Sequence, residues 1–223
     1  MVPVMLSIDE VRSALDRHVV VDHPALPGRT NHLSAGVLLP LQWTSEGVEI
    51  LLTRRPATMK QHPGEVSFPG GKPEPTDLDL EATALRETRE ELGVERLSVL
   101  GSLCSMPVFT SDFRLHPYVG VVHDTELRPE PAEVAEVVRF DVLEWVQPGR
   151  IEGIPYAFKE ASGVSPVFRF GSAMVFGATA HSLVEFLEIV APLLTGAPLP
   201  PPRVGGIDWA DVTAWAEKSA AGG

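Results

Sequence analysis

Cysteine is almost absent from this 223-residue chain; Cys104 stands alone. No internal disulfide can form, and there is no Cys/His cluster from which a zinc site would be expected. Cys104 lies in an apolar run from Leu100 to Met106, which reads as a buried structural thiol rather than a reactive one. Basic residues are scarce too, 18 against 30 acidic ones, for a formal charge of −12. Nucleic acid and anionic membrane both need a broad basic surface, so neither is an expected partner, and an anionic ligand must find a local basic patch. The N-terminus has no basic stretch ahead of a long apolar one, and no run reaches the roughly 18 apolar residues of a bilayer span. A cytosolic location is the expectation that remains. Internal repeats are missing as well.

The 44% of hydrophobic residues suffices for one sizeable core with small appendages. Ser7-Ile8-Asp9-Glu10 has the form of a capping box and opens a short amphipathic helix. Residues 1–30 form this helix and a following loop, 31–195 the main domain, and 196–223 a proline-rich connector and last helix. Strand-like runs occur at Ser34 to Leu39, Val48 to Thr53, Leu97 to Leu103, Leu115 to Val122, Val134 to Phe140 and Val167 to Phe170. Helical spacing returns over Thr179 to Leu194. In the tail, Asp208 and Asp211 cap the final helix, with Ile207 and Val212 as a hydrophobic staple. The class is α/β of the α+β kind with a mixed sheet, since few regular βαβ repeats appear.

The strongest helix follows a short glycine-rich segment, Gly64 to Gly71. Thr76 is its expected N-cap, with Asp79 at the capping-box position and Gly93 as the C-terminal cap. Glu87, Glu90 and Glu91 fall at i, i+3 and i+4, and at about 100° per residue they share one sector. Ala84, Leu85, Thr88 and Leu92 form the opposite, packing side. Like charges so placed repel, and a hard divalent cation would neutralise them; Mg²⁺ takes a few carboxylates together with water and phosphate oxygens. Taken alone, the same face reads equally as a solvated one, with Arg86 and Arg89 as surface partners.

Arg86-Glu87-Thr88-Arg89-Glu90-Glu91-Leu92-Gly93-Val94, preceded by Gly71, resembles the Nudix box, Gx5Ex7REUxEExGU with U aliphatic. Thr88 departs from U, and the stretch from Gly71 to Arg86 is one residue longer than the pattern, so the early glutamate position falls on Asp77 or on Leu78 according to the direction of counting. The resemblance implies a Nudix-type α/β/α sandwich and Mg²⁺ or Mn²⁺ as cofactor. It implies metal contacts from Glu87, Glu91, Glu90 and the backbone at Gly71, with Arg86 orienting Glu87. The general base would be Glu87 first and Glu133 second.

Upstream, Leu51 to Gly71 reads LLTRRPATMKQHPGEVSFPGG, which resembles the added signature of the coenzyme A pyrophosphatase branch of that family. His116-Pro117-Tyr118-Val119, Glu133-Val134 and Phe176-Gly177-Ala178-Thr179-Ala180 look like its later landmarks, and the longer loop is typical of the branch. The implied substrate contacts are Arg54, Arg55, Lys60, His62, Glu65 and Phe68. Physically, Leu51 to Lys72 carries Arg54, Arg55, Lys60 and Lys72 against the single acid Glu65, a basic patch suited to phosphates. The expected reaction is hydrolysis of coenzyme A, or a derivative, to adenosine 3′,5′-bisphosphate and 4′-phosphopantetheine. The alternatives are hydrolysis of a nucleotide sugar or dinucleoside polyphosphate, and a non-catalytic module that binds CoA or a nucleotide. The last helix, with Trp209 and Trp215, docks on its own domain or on the mate in a homodimer.

Overall fold

The computed structural model describes residues 6–59, 62–158 and 161–220. The chain opens with α1 (Ile8–Leu15), and its capping box closes as expected: the Ser7 N–H donates to Glu10 Oε2 at 2.9 Å and the Glu10 N–H to Ser7 Oγ at 3.3 Å. β1 (Leu33–Trp43) and β2 (Val48–Arg54) pair antiparallel. β3 (Val66–Ser67) adds to the end of β2, and β4 (Gly70–Gly71) to the middle of β1. After α2 (Leu80–Leu92) come β5 (Leu97–Ser102), β6 (Met106–Pro107) and β7 (Phe113–Val122); β7 runs parallel to β1 from Leu33/Phe113 to Leu41/Val121. β8 (Glu136–Asp141) returns to the far side of β2 and leads into α3 (Val142–Trp145).

The two faces of this sheet follow from strand alternation. Val37, Leu39, Ile50, Leu52, Val119 and Val121 join the main core with α1 residues Val11 and Leu15. Leu51 and Val122 point the other way and pack with Leu92 of α2. A long helix, α4 (Gly177–Thr195), completes the first side with Leu183, Phe186, Leu187 and Val190. With 19 residues and a mean hydropathy of 1.3, α4 is long and apolar enough to cross a membrane, but these side chains lie in the protein core. The result is a helix–sheet–helix sandwich in which α2 covers the second face.

Before α4, β9 (Glu152–Phe158), β10 (Ala161–Phe170) and β11 (Ala173–Val175) form a second sheet. The run expected at Val167 to Phe170 is the end of a much longer hairpin, hidden in the sequence by Gly153, Pro155, Gly163 and Pro166, residues that usually punctuate loops. Phe140 of β8 stacks on Trp145 at 5.1 Å and meets Phe168 edge-on at 5.4 Å, joining the two sheets. In the proline-rich connector, β12 (Arg203–Val204) pairs parallel with β9, and α5 (Trp209–Ala220) ends the described chain.

The start of α2 differs from expectation. Asp79, not Thr76, is the N-cap, its Oδ1 accepting the Ala82 N–H at 2.8 Å. Asp77 accepts the Glu74 N–H and the Thr83 hydroxyl, which holds residues 74–78 in a turn and defers the helix to Leu80. Asp79→Ala should therefore cost about 1 kcal/mol of unfolding free energy in denaturant titration, while Thr76→Ala, at an exposed position, should stay within about 0.5 kcal/mol of wild type.

Candidate active site

Helix α2 lies unusually close to β1, because Gly36 leaves no side chain between them; a Cβ there would run into the Leu80 carbonyl oxygen. Thr83, Ala84, Thr88 and Leu92 bury the packing side. Thr88, which stands where the family pattern has an aliphatic residue, is fully buried and satisfies its hydroxyl on the Ala84 carbonyl at 2.7 Å. The helix ends at Gly93, whose left-handed φ of 61° suits glycine.

This packing sets the glutamates at three depths. Glu91 is only 6% exposed, with Oε2 accepting the Thr53 hydroxyl of β2 at 3.1 Å and Oε1 facing the Gly70 N–H at 3.5 Å. Burial pushes its carboxyl up to about 7, against the lowering effect of those two donors. Glu87 is half-buried and its carboxylate lies directly on Gly71, where a Cβ would collide with it. Burial raises the Glu87 carboxyl as well; Arg86 offsets part of this, and Glu90 and Glu133 add to it. Glu90 lies at the rim, 56% exposed, paired with Arg86 at 3.0 Å. The single sector read from the sequence thus resolves into an inner pair, buried Glu91 and half-buried Glu87, and an outer member.

Arg86 is the organiser. Its guanidinium donates to Glu87 Oε1 at 3.1 Å, to Glu90 at 3.0 Å, to the Lys72 carbonyl at 3.2 Å and to both oxygens of Asp77 at 3.0 and 3.1 Å. Asp77 is the residue that sequence counting could not separate from Leu78. Leu78 is 95% exposed, whereas Asp77 is held well below the ordinary carboxylate range, to about 2, chiefly by Arg86. Thr53 and Gly36 also escaped the sequence reading as contributors to the site. Their signal is faint: a hydroxyl at the end of an apolar strand and one glycine within another.

The remaining expected residues spread out. Arg55 reaches the electrostatic neighbourhood of Glu91 and His62, and its buried Nε has no hydrogen-bond partner among the described residues. Arg54 is committed elsewhere, to Glu136 at 2.9 Å and to Ser172 Oγ at 3.0 Å. His62 adopts a left-handed φ of 52° and pairs with Glu65 at 2.9 Å, which raises its pKa. Glu133 is exposed but close enough to influence Glu87. Lys60 lies outside the described residues. Phe68, expected as a substrate contact, is 3% exposed and packed in the main core.

A correction concerns cysteine. The fold brings Cys104 to His18 and Glu185, with their ligand atoms within 4.8 Å of one another, from segments too distant for any sequence spacing to reveal. Glu185 Oε1 pairs with His18 Nε2 at 2.7 Å and accepts the Cys104 backbone N–H at 2.8 Å, and the Cys104 Sγ lies 3.9 Å from His18 Nε2. Burial pushes the thiol pKa up, consistent with a structural cysteine.

The donor set at Glu87 and Glu91 fits a hard divalent cation: two adjoining carboxylates, one nearly enclosed and without a cationic hydrogen-bond partner among the described residues, against a backbone stripped of side chains at Gly70 and Gly71. A family model for the NUDIX domain matches residues 30–163. The mitochondrial coenzyme A diphosphatase NUDT8 of Mus musculus is 35% identical over 173 residues, 74% of this chain and 81% of that protein. Peroxisomal coenzyme A diphosphatase NUDT7 of the same species is 40% identical over 115 residues, and the uncharacterized Nudix hydrolase NudL of Photorhabdus laumondii 38% over 117. These matches cover 49% and 51% of this chain, and the chain spans 48% and 62% of the two relatives' lengths. With the box residues gathered at one site and the family model matching more than half of its length, the chain belongs to the Nudix hydrolase family.

Proposed function

We propose that the protein hydrolyses the diphosphate of coenzyme A, or of a close derivative, to adenosine 3′,5′-bisphosphate and 4′-phosphopantetheine, with Mg²⁺ or Mn²⁺ as cofactor. The observation that carries the reading is the Glu87–Glu91 pair set against Gly70 and Gly71, with the basic segment Arg54 to Lys72 leading into it. The NUDT7 and NUDT8 relatives are likewise coenzyme A diphosphatases.

In this reading Glu87 and Glu91 hold the divalent cation, and Glu90 shares in it from the rim. A bound cation would supply neutralisation of the diphosphate charge and polarisation of the attacking water. Arg86 keeps Glu87 aimed, and Asp77 keeps Arg86 in place. Arg55 brings a positive charge to the phosphates, and His62 and Glu65 shape the same loop. Water forms a new O–P bond, the bridging P–O bond breaks, and a carboxylate takes the proton; Glu87 and Glu133 are the candidates within reach of one another. No group beyond water is consumed.

The test is a panel of coenzyme A, a nucleotide sugar and a dinucleoside polyphosphate, each incubated with Mg²⁺ and followed by product identification. Coenzyme A should be turned over with the highest kcat/KM and yield the two named products in equal amounts. Preference for another member of the panel would overturn the substrate while leaving the diphosphate chemistry. Binding of coenzyme A without products would support a non-catalytic module instead.

A further inference from the structure

The C-terminal helix belongs to no motif, yet it ends on the proposed substrate loop. β12 fixes its approach, with Arg203 paired to Glu152 of β9 at 3.1 Å. The staple expected from the sequence is present: Ile207 and Val212 are buried with Ile154, Val167 and Met174, and Asp208 and Asp211 exchange backbone N–H bonds at 3.0 Å. Trp215 meets Phe176 edge-on at 6.1 Å and donates its indole N–H to the Ser172 carbonyl at 3.3 Å.

Ser172 is also where Arg54 is tied, through its carbonyl at 3.3 Å and its hydroxyl at 3.0 Å. One turn between β10 and β11 therefore anchors both the helix and the first residue of the basic segment. The last turn of α5 then touches that segment a second time. A Cβ on Gly64 would lie 2.7 Å from Ser219 Cβ and 2.8 Å from its carbonyl oxygen, so the glycine is backed by the helix. Gly64 donates its N–H to the Arg55 carbonyl at 3.2 Å, and the Arg55 N–H goes to the Glu65 carbonyl at 3.0 Å. A push on Gly64 is thereby a push on Arg55, whose charge is felt at Glu91.

We infer that the C-terminal segment from Arg203 to Ala220 backs the proposed substrate-binding segment, with Trp215 and Ser219 as positioning residues that hold Arg54, Arg55 and Gly64 in place for the substrate. The inference rests on the reading of that loop as the phosphate-contacting segment, and assigns the helix to recognition of an extended diphosphate substrate rather than to the metal chemistry. The helix's effect falls on KM, because Glu87 and Gly71 are carried by α2 and β4, and among the described residues the hydrogen bonds of Glu87 and Glu91 go to Arg86, Thr53 and Gly70, not to Ser172, Phe176 or Gly64. The helix adds little to the main core: its buried residues form a separate small cluster.

The test compares wild type, Trp215→Ala and Ser219→Phe in the full chain, with Mg²⁺ and coenzyme A. Trp215→Ala removes the Ser172 tie and the ring against Phe176; Ser219→Phe leaves both anchors and presses on Gly64. KM should rise about tenfold in each, the scale of one lost hydrogen bond with its packing, while kcat stays within about twofold. Amide exchange at Arg55 and Gly64 should quicken in both, whereas Mn²⁺ binding should be unchanged. A merely stabilising helix would instead lower kcat in step with the folded fraction at constant KM, and that result, or unchanged exchange at Arg55 and Gly64, overturns the inference. If Trp215→Ala does not fold, Ser219→Phe and the exchange measurement decide alone. If wild type ignores coenzyme A, the substrate reading fails separately, and the same KM comparison is made on whichever diphosphate of the panel it cleaves.

Discussion

Glu91→Gln is expected to abolish turnover and, at the same time, to stabilise the metal-free protein above pH 7. The loss of activity should exceed about 100-fold, since even groups that only support a metal's ligands are worth up to that much. The stability effect follows from burial. In the folded chain the Glu91 carboxyl titrates near 7, against an ordinary value of 4.5. The folded form keeps its proton longer, so this group's contribution is fully present below about 4.5, is lost as the pH rises through about 7, and stays lost above it. Glutamine carries no such cost, and at pH 8 the variant should gain up to about 3 kcal/mol over metal-free wild type, read as a rise of several degrees in Tm. Saturating Mg²⁺ should close the gap by stabilising wild type and leave the variant unmoved. A variant less stable than metal-free wild type at pH 8 would mean that Glu91 is a structural ion-pair partner, not an unbalanced ligand.

Gly71→Ala should cost about 100-fold in kcat/KM with almost no change in fold. The backbone at Gly71 is not in the left-handed region, so alanine brings no backbone strain. Its methyl group would occupy the space of the Glu87 carboxylate, and the end of that flexible side chain must move aside. Displacing a ligand or base by about 1 Å is enough for a loss of this size. The Tm should shift by no more than a degree or two, because the core residues around β4 are untouched. Gly36→Ala makes the contrast: there the obstacle is the backbone of α2, so stability and activity should fall together.

Much of this site was legible because its residues are neighbours in sequence. Arg86, Glu87, Glu90 and Glu91 share a single helix, whose period is fixed, and the glycine loop precedes it directly. Depth was not legible: periodicity places Glu90 and Glu91 together, but only the packing of α2 against Gly36 buries one and leaves the other at the rim. Thr53 becomes a partner of Glu91 through the arrangement of β2 under α2, which no local pattern records. The basic segment shows the same limit. Composition groups Arg54 and Arg55, yet strand alternation sends one to Glu136 and Ser172 and the other toward Glu91. The β9–β10 hairpin stayed hidden because glycine and proline, which usually end strands, lie within it.

Mn²⁺ binding followed by electron paramagnetic resonance, on wild type and Glu87→Gln/Glu91→Gln side by side with coenzyme A turnover, tests the assignment of the inner glutamate pair most directly. Wild type should withdraw Mn²⁺ from solution and turn over in proportion to the fraction bound, while the double variant, folded and with an intact Arg86–Asp77 pair, should do neither. Equal Mn²⁺ uptake by the double variant, or turnover that persists in it, would contradict the placement of the metal and the chemistry at Glu87 and Glu91.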